Sequence, residues 1–514
     1  MRTAILAAVL ALTGCATTPA TPFISDTETR AWWALTSALS NDAMEGRDTG
    51  SAGYDRAAAF VAERFRAAGL RSAGDDGSFF QRIRMREVRV EEAGTSFELV
   101  GAGGNSRPLR FLHDLTIGVT ATLPAAIDAP LSFRGYCRPE DLAGIRGKVA
   151  VCFNARRAGM TTGAERVAAA TASGAVGILQ IDDPSFAVEP PRWPLAYARI
   201  VSPAGARSSS SVLTVPVMRY NPDALPRLLI GSGHEASDLL ASGGRGEPLP
   251  SFEVPSRFRA RIATRSADIV SANVLAVLPG TDPALRDEYL VVGAHLDGYG
   301  YGTSIDGDAL YNGTFDDAAY VATLIRLAEQ RSGRGFRRSI LFSVFTGEEK
   351  GLIGSRWLID HPPVPRQALV GMINLDQLRP IFPLNILTVH ALVDSSIGQA
   401  AREVAAVMSI RTRVDPEPER NLIARADHWP FLQADIPAAN FVFGYEPGTE
   451  AERRYRLWYR TRYHHPADDL SQPWDPEAAA RMNEFFYRLT ARIADADARP
   501  SFLHTNPHRA AETR

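Results

Sequence analysis

Residues 268–493 alternate apolar runs of strand length with segments of helical periodicity, and this alternation restricts the fold more than any other feature of the chain. Strands are predicted at 270–278, 288–294, 339–346, 369–375 and 438–443. Helices are predicted among them at 316–329, 352–359 and 477–493. Apolar strands that alternate with helices are typical of an α/β fold, so we expect a mainly parallel, mixed sheet covered by helices on both faces.

The composition is that of a globular protein with several domains. The chain has 514 residues, and a domain typically takes about 150 residues. Its 56 basic and 58 acidic residues nearly cancel, and no Lys- or Arg-rich run occurs. Because nucleic-acid binding requires a basic surface, the sequence predicts no nucleic-acid partner.

Polar side chains follow three of the predicted strands at the point where each strand ends. His295 and Asp297 follow the second strand, Glu348 and Glu349 follow the third, and Asp376 follows the fourth. Ligands of open α/β sheets bind beyond the carboxyl ends of the strands. We therefore expect these five side chains to meet at one edge of the sheet.

Two further residues extend this set. Asp316 opens a predicted helix, where capping is the ordinary role of an Asp, and His464 lies in a late loop. Several carboxylates at an apolar sheet edge would repel one another strongly without cations. Taken together, the residues predict a site for divalent metal ions.

Five ordered motifs carry a family resemblance. They are His295-x-Asp297, Asn312-Gly313-x-x-Asp316-Asp317, Gly347-Glu348-Glu349-x-Gly351, Asn374-Leu375-Asp376 and Tyr463-His464-x-Pro466-x-Asp468. In order and spacing they resemble the M28 family of co-catalytic zinc peptidases. The resemblance implies a zinc-exopeptidase fold of the phosphorylase/hydrolase-like kind and an aminopeptidase that removes N-terminal residues from peptides.

Carried over position by position, the resemblance implies two Zn²⁺ ions, with Mn²⁺ or Co²⁺ as substitutes. Asp316 would bridge the ions, His295 and Asp376 would bind one of them, and Glu349 and His464 would bind the other. Three carboxylates and a bridging hydroxide would then balance the four positive charges.

The resemblance also implies three residues with catalytic roles. Glu348 would be the general base that takes a proton from the bridging water and passes it to the leaving amine. Asp297 would orient His295. Tyr463 would donate its hydroxyl group to the developing oxyanion, and simple packing is the alternative role for this residue.

The chain departs from the family pattern at positions that are not ligands. Ala318-Ala319-Tyr320 follows the Asp-Asp pair where the family commonly has Asn-Ala-Ser-Gly, and Ala426 precedes Asp427-His428 where Ser is frequent. These differences bear on specificity rather than on metal binding. His428 and His465 are expected to be structural.

Other functions stay open. Arg456, Arg460 and Arg462 precede His464, and Arg side chains suit substrate carboxylates, so a carboxypeptidase-like di-zinc hydrolase is one alternative. A non-peptidase cyclase with one zinc and a catalytically silent binding relative are further alternatives. The presence of all five ligands and the base disfavours both.

The first residues have the pattern of an export signal. Residues 1–14 combine Arg2 with an apolar run that is too short to span a bilayer. Leu12-Thr13-Gly14-Cys15 resembles the signal of bacterial lipoproteins, and residues 15–24 read as a linker. We therefore expect lipidation of Cys15 and a membrane-anchored protein that faces the periplasm. Ala16, the residue after it, resembles the pattern of lipoproteins sent to the outer membrane.

The remaining chain is predicted to form one peptidase domain from residues 25–121 and 263–498, with an insert at 122–262 and a loose tail at 499–514. The short strands and helices of the insert resemble a protease-associated (PA) domain. Cys137 and Cys152 lie in its apolar stretches, and a disulfide and two buried thiols are equally open.

Local patterns add elements outside the alternating region. Helices are predicted at 28–39 and 54–68, and a pair of strands at 80–100 with a turn near 92–94. Within the insert, strands are predicted at 147–153, 174–179 and 212–218 and a helix at 164–172.

Overall fold

A computed structural model describes residues 26–155, 157, 159–205 and 215–510. The predicted export signal with Cys15 lies outside the described residues, as do residues 212–214 of one predicted strand. Within the described part of the chain, no helix is both long enough and apolar enough to cross a membrane.

The helices and strands follow one another along the whole described chain. The helices are α1 (Thr27–Ser40), α2 (Ala52–Ala67), α3 (Gly163–Ala172), α4 (Leu225–Leu228), α5 (Ala236–Arg245), α6 (Ala319–Gln330), α7 (Ile353–Asp360), α8 (Ser396–Val407), α9 (His428–Gln433), α10 (Glu450–Thr461) and α11 (Pro476–Ala494). The strands are β1 (Arg71–Ser72), β2 (Phe80–Val90), β3 (Ser96–Val100), β4 (Ser106–Leu109), β5 (Leu115–Ile117), β6 (Ala126–Arg134), β7 (Val149–Asn154), β8 (Gly177–Asp182), β9 (Arg199–Pro203), β10 (Val217–Tyr220), β11 (Ser251–Arg261), β12 (Thr264–Leu278), β13 (Tyr289–His295), β14 (Gly300–Ile305), β15 (Asp308–Tyr311), β16 (Ser339–Phe345), β17 (Leu369–Asn374), β18 (Ile386–His390), β19 (Arg411–Arg413) and β20 (Ala438–Gly444).

The larger sheet has a parallel centre and antiparallel edges. Its strand order among the described residues is β19-β18-β20-β17-β13-β16-β12-β2-β9, with β1 beside β12. Strands β20, β17, β13 and β16 run parallel. The predicted mixed α/β sheet is therefore confirmed.

Helices cover both faces of this sheet, which explains why its central strands are apolar throughout. In β13, Leu290 and Val292 pack into the core that contains Trp32 of α1 and Phe65 of α2. Val291 points the other way, into a core with Leu358 of α7. Successive strand residues face opposite sides, so a strand buried on both sides has no polar face.

The N-terminal helices pack on the larger sheet, as predicted. Trp32 is fully buried, and its indole N–H donates to the carbonyl oxygen of Ala319 at 2.7 Å. This bond ties α1 to the first residue of α6. Because α6 follows the predicted site residue Asp316, the N-terminal segment supports the site directly.

A second sheet of eight described strands has the order β4-β3-β11-β6-β7-β8-β10-β5. We call residues 96–261 the eight-stranded module. The predicted boundary at residue 121 is wrong, because β3, β4 and β5 lie before it and pair within this second sheet. The strands predicted at 80–100 exist as β2 and β3, but they pair with different sheets rather than with each other.

A disulfide lies within the eight-stranded module, and one strand pairing joins the module to the larger sheet. Cys137 and Cys152 form a disulfide with their Cα atoms 5.5 Å apart, which resolves the alternative left open by the sequence. Strand β9, within the module, pairs with β2 of the larger sheet. The module is thereby fastened to the sheet that carries the site.

The described part of the tail is not loose, contrary to the prediction for residues 499–514. Phe502 forms a β-bridge with Ser395, and the Asn506 amide donates to the carbonyl oxygen of Leu432 at 2.7 Å. His504 and His508 both contact the carboxylate of Asp394, at 3.3 and 3.2 Å. Isolated polar contacts hold residues 499–510, and such contacts leave no periodicity in the sequence.

Candidate metal centre

Parallel strands bring the predicted site residues to one edge of the larger sheet. β13 ends at His295, β16 ends just before Glu348 and Glu349, and β17 ends just before Asp376. Because β13 lies between β16 and β17, the three strand ends are neighbours.

Asp316 lies between the two histidines. Its Oδ1 is 3.4 Å from His295 Nε2, and its Oδ2 is 3.4 Å from His464 Nε2. Glu349 Oε1 is 3.2 Å from the same His464 atom. Each carboxylate oxygen of Asp316 therefore faces a different histidine, as a bridging ligand requires.

The helix predicted at 316–329 begins three residues late, at Ala319. Residues Thr314–Ala318 form a wider turn in which Asp316 and Asp317 depart from helical angles. Asp317 Oδ2 accepts the backbone N–H of His295 at 2.8 Å. The irregular turn thus presents Asp316 to both histidines while Asp317 fixes the end of β13.

Potential ligand atoms fall into groups of a size that suits metal ions. Atoms of Asp316, Glu349 and His464 all lie within 4.8 Å of one another, and so do atoms of His295, Asp317 and Asp376. Nitrogen and carboxylate oxygen donors are those that zinc prefers. The set could hold metal ions, and it includes Asp317, a carboxylate that the sequence analysis did not place among the ligands.

The charges of the site also fit bound cations. Burial, followed by the charges of Glu349 and Asp376, raises the pKa of Glu348 well above its ordinary value. Burial likewise raises the pKa of Asp376 to about 6. Burial opposes ionisation of Asp316 too, but hydrogen bonds from His295 and His464 hold its pKa well below the ordinary value. Divalent ions would supply the positive charge that such a buried carboxylate cluster needs.

Glu348 and Glu349 are directed to different parts of the centre. Glu348 Oε2 is 3.9 Å from His295 Nε2, whereas Glu349 contacts His464. Atoms of His295, Glu348 and Glu349 also lie within 4.8 Å of one another, so the division between a base and a ligand stays a prediction.

Asp297 holds the base loop rather than the histidine. Its Oδ1 accepts the backbone N–H of Glu348 at 3.0 Å, and its Oδ2 accepts the hydroxyl of Thr49 at 3.0 Å. His295 Nδ1 is 2.9 Å from the backbone oxygen of Asp297 but 3.8 Å from its carboxylate. The expected carboxylate contact to His295 is therefore replaced by a main-chain contact.

Two tyrosines flank His464. Tyr299 OH is 2.8 Å from His464 Nδ1, a contact that the sequence analysis missed although Tyr299 follows β13 at the same sheet edge. Tyr463 packs its ring 3.7 Å from the His464 ring, between centroids, and its hydroxyl accepts a bond from Arg425 at 3.2 Å. The Tyr463 hydroxyl keeps its own proton available for donation.

Two buried arginines support the centre and were also missed. Arg47 is fully buried, and its guanidinium donates to the backbone oxygens of Leu296, Asn312 and Gly313, which precede site residues. Arg379 lies 3.6 Å from Asp316 Oδ2 and 3.9 Å from Asp376 Oδ1. Neither position is distinguished by a local pattern, since Arg47 and the Arg379 contact with Asp316 act across distant segments.

Other residues singled out in the sequence lie away from the ligand groups. His428 is fully buried, and burial lowers its pKa well below the ordinary value, in keeping with a structural role. Arg456 pairs with Glu417 and Glu452. Arg462 donates to the backbone oxygen of Ala467.

The eight-stranded module covers the centre. Tyr197, in the segment between β8 and β9, stacks on Tyr299 with ring centroids 5.2 Å apart. Lys350, next to the predicted ligand Glu349, donates to the Tyr197 hydroxyl at 2.7 Å. The cavity at Asp316 and His464 measures only about 10 Å³, so a substrate must approach through the larger clefts beside it.

Known proteins share both the region and the fold. Residues 273–490, which contain all five predicted ligands, match the model of Peptidase family M28. Leupeptin-inactivating enzyme 1 of Streptomyces exfoliatus is 28% identical over 214 residues, or 40% of this chain and 45% of that protein. The chain spans about half the length of the curated relatives that it matches.

Solved structures resemble the chain over nearly its whole length. An aminopeptidase from Aneurinibacillus sp. strain AM-1 has a TM-score of 0.61 at 18% identity, covering 91% of this chain and 94% of that one. BSAP, a zinc aminopeptidase from Bacillus subtilis, has a TM-score of 0.57 at 17% identity, covering 92% and 96%. The fold is therefore that of these two aminopeptidase structures.

Proposed function

We propose that the protein is an exported di-zinc metallopeptidase that removes N-terminal residues from peptides. The observation that carries the proposal is the position of Asp316 between His295 and His464, with each carboxylate oxygen 3.4 Å from one histidine. Glu349 and Asp376 complete the donor set on either side, and Glu348 is left to act as a base.

Zinc ions held by His295, Asp316, Glu349, Asp376 and His464 would supply Lewis acidity for the scissile carbonyl and for a water molecule. Glu348 accepts the proton of that water and later delivers it to the leaving amine. Asp297 and Thr49 keep the Glu348 backbone in place. Tyr463 donates its hydroxyl proton as a hydrogen bond to the developing oxyanion, while Arg425 bonds to the lone pair of its oxygen.

The structure gives the carboxypeptidase alternative less support than the sequence did. Arg456 is engaged by Glu417 and Glu452, and Arg462 by a main-chain oxygen. These contacts favour an aminopeptidase.

Adjacent substitutions test the chemistry. Glu348→Gln keeps the size of the base but cannot accept a proton, so turnover should fall roughly 100-fold to 10,000-fold with two metals per chain retained. Glu349→Gln removes a charged ligand, so metal affinity should fall, and activity should partly return with excess zinc. The metal content of both variants is measured by elemental analysis. If Glu348→Gln loses metal and Glu349→Gln keeps both ions, the assignment of Glu348 as the base and Glu349 as the ligand must be reversed.

The specificity is tested with peptides blocked at one end. Peptides with a free amino end should be hydrolysed, and N-acetylated peptides should not. Hydrolysis of N-acetylated peptides from the carboxyl end would instead support the carboxypeptidase alternative.

We further propose export, a lipid anchor at Cys15 on the periplasmic side of the outer membrane, and a PA-type role for the eight-stranded module. The disulfide between Cys137 and Cys152 supports an oxidising compartment. If the Cys15→Ser protein still fractionates with membranes after a carbonate wash, the anchor lies elsewhere.

A further inference from the structure

We infer that a cleft between the eight-stranded module and the larger sheet binds a carboxylate of the peptide substrate, downstream of the scissile bond. The inference rests on the proposed function, because it assigns a second recognition site to the same substrate. It would make the enzyme prefer peptides with a free C-terminus or an acidic side chain.

The cleft is large and leads to the metal centre. It measures about 920 Å³, and a neighbouring cleft of about 420 Å³ reaches Tyr299 and His464. The two clefts share Gln180, Arg192 and Arg219 in their walls. A peptide whose amino end lies at His464 can therefore extend into the larger cleft.

Arginines dominate the wall of the larger cleft. The described wall contains Arg157, Arg166, Arg192, Arg219, Arg420 and Arg425. The acidic residues of the wall are Asp182, Asp183, Glu189 and Glu419. Six positive against four negative charges leave the cleft with a net charge of +2 among the described residues, which attracts anions.

Several of these arginines are held by acids and form a fixed frame. Glu189 of the module contacts Arg425 at 2.8 Å, Arg192 at 3.4 Å and Arg420 at 3.7 Å. Arg219 pairs with Asp182 at 2.6 Å. The pairs of Glu189 with Arg420 and Arg425 join the module to the segment between β19 and α9, so they fix the shape of the cleft.

Arg166 differs from this frame. It is only 3% exposed, and its guanidinium donates to the backbone oxygen of Thr161 and the side-chain oxygen of Asn154, both neutral. Its Nε has no hydrogen-bond partner within the described residues. A buried cation held only by neutral acceptors is costly, and a bound anion would compensate it.

The cleft is also connected physically to the catalytic residues. The Arg192 guanidinium lies 4.5 Å from the centre of the Tyr463 ring, and Arg425 bonds to the Tyr463 hydroxyl. A carboxylate bound at Arg166 would thus lie in the same cleft as the arginine frame that touches Tyr463. The planar fork of Arg suits a carboxylate, as the inference requires.

The test uses the full-length protein and three pentapeptides that share one N-terminal residue. One has a free C-terminus and neutral side chains, one is C-terminally amidated with a Glu at the fourth position, and one is amidated with a Gln there. The first two should have kcat/KM values roughly tenfold above the third. Either preference alone also supports a carboxylate site and identifies which carboxylate binds.

Variants separate this inference from the proposed function. In Arg166→Met the kcat/KM values of the first two peptides should come close to that of the third, so that both ratios approach one. Arg166→Lys should restore part of the preference, which excludes a folding defect. Arg257→Met, an exposed residue of β11 outside the cleft, is the matched control and should keep the ratio. Equal kcat/KM values for all three peptides with the unaltered protein, or an unchanged ratio in Arg166→Met, would overturn the inference. Failure to cleave any of the peptides would instead count against the proposed function.

Discussion

The role of Asp297 gives the sharpest prediction, because two readings of this residue differ in what a single substitution should do. The resemblance to the M28 family implies that its carboxylate orients His295. The structure shows the carboxylate bound to the Glu348 N–H and the Thr49 hydroxyl, at 3.0 Å each, and 3.8 Å from His295 Nδ1. We therefore predict that Asp297 acts on the base rather than on the metal.

The expected effect follows from these two bonds. Asp297→Ala leaves two buried donors without an acceptor, and each lost bond to a charged group is worth about 1.5–3 kcal/mol. Without these bonds Glu348 should no longer be held in its catalytic position. We therefore expect turnover to fall roughly 100-fold, the lower end of the range of rate effects for loss of a general base. In Asp297→Asn the remaining oxygen can still accept the Glu348 N–H, while the amide donates to Thr49, whose hydroxyl can accept. Its turnover should fall by less than about tenfold.

The assay is steady-state hydrolysis together with zinc titration of each variant. Thr49→Val is the matched control, since Thr49 bonds to Asp297 but makes no hydrogen bond to His295, and it should resemble Asp297→Asn. The reasoning is refuted if Asp297→Asn loses zinc affinity 10-fold to 100-fold, the loss expected when a partner of a metal-bound histidine is removed.

Three further predictions concern stability. Replacing Cys137 and Cys152 together by Ala should destabilise the eight-stranded module by about 3 kcal/mol, the value for a loop of 15 residues. Denaturant unfolding measures this change. Loss of bound zinc in the variant would contradict an effect of the disulfide that is confined to the module. Glu189 is buried, which opposes its ionisation, but nearby arginines, chiefly Arg425, hold its pKa at about 2, below the ordinary 4.5. The stabilisation of the folded protein by the Glu189 carboxylate should therefore be complete above pH 4.5 and lost as the pH falls towards 2. Melting curves of Glu189→Gln should therefore approach those of the unaltered protein only at acid pH, and a constant difference would argue against the ion pair. In protein freed of metal by a chelator, the free energy of unfolding should fall as the pH rises from about 4 to about 6. Burial raises the pKa of Asp376 from 3.8 to about 6, so the folded state disfavours ionisation of this carboxyl group over that pH range. A loss of stability that calorimetry finds to be independent of pH would contradict this.

Local patterns in the sequence determined the central strands of the larger sheet, six of the eleven described helices and the residues at the strand ends. His295, Glu348, Glu349 and Asp376 could be placed at one edge because apolar strands that alternate with helices form a parallel sheet whose carboxyl ends coincide. The association of Asp316 and His464 with that edge came from the family resemblance, and the structure brings both to it.

Only the tertiary structure decided which strands pair and which distant groups support the site. Strands β2 and β3 are neighbours in sequence but belong to different sheets, because pairing depends on partners far along the chain. For the same reason no local pattern identified Thr49, Arg47 or Arg379, which contact site residues or loops from remote segments. Periodicity reports which face of an element is buried, whereas a single hydrogen bond across about 250 residues leaves no periodic signal.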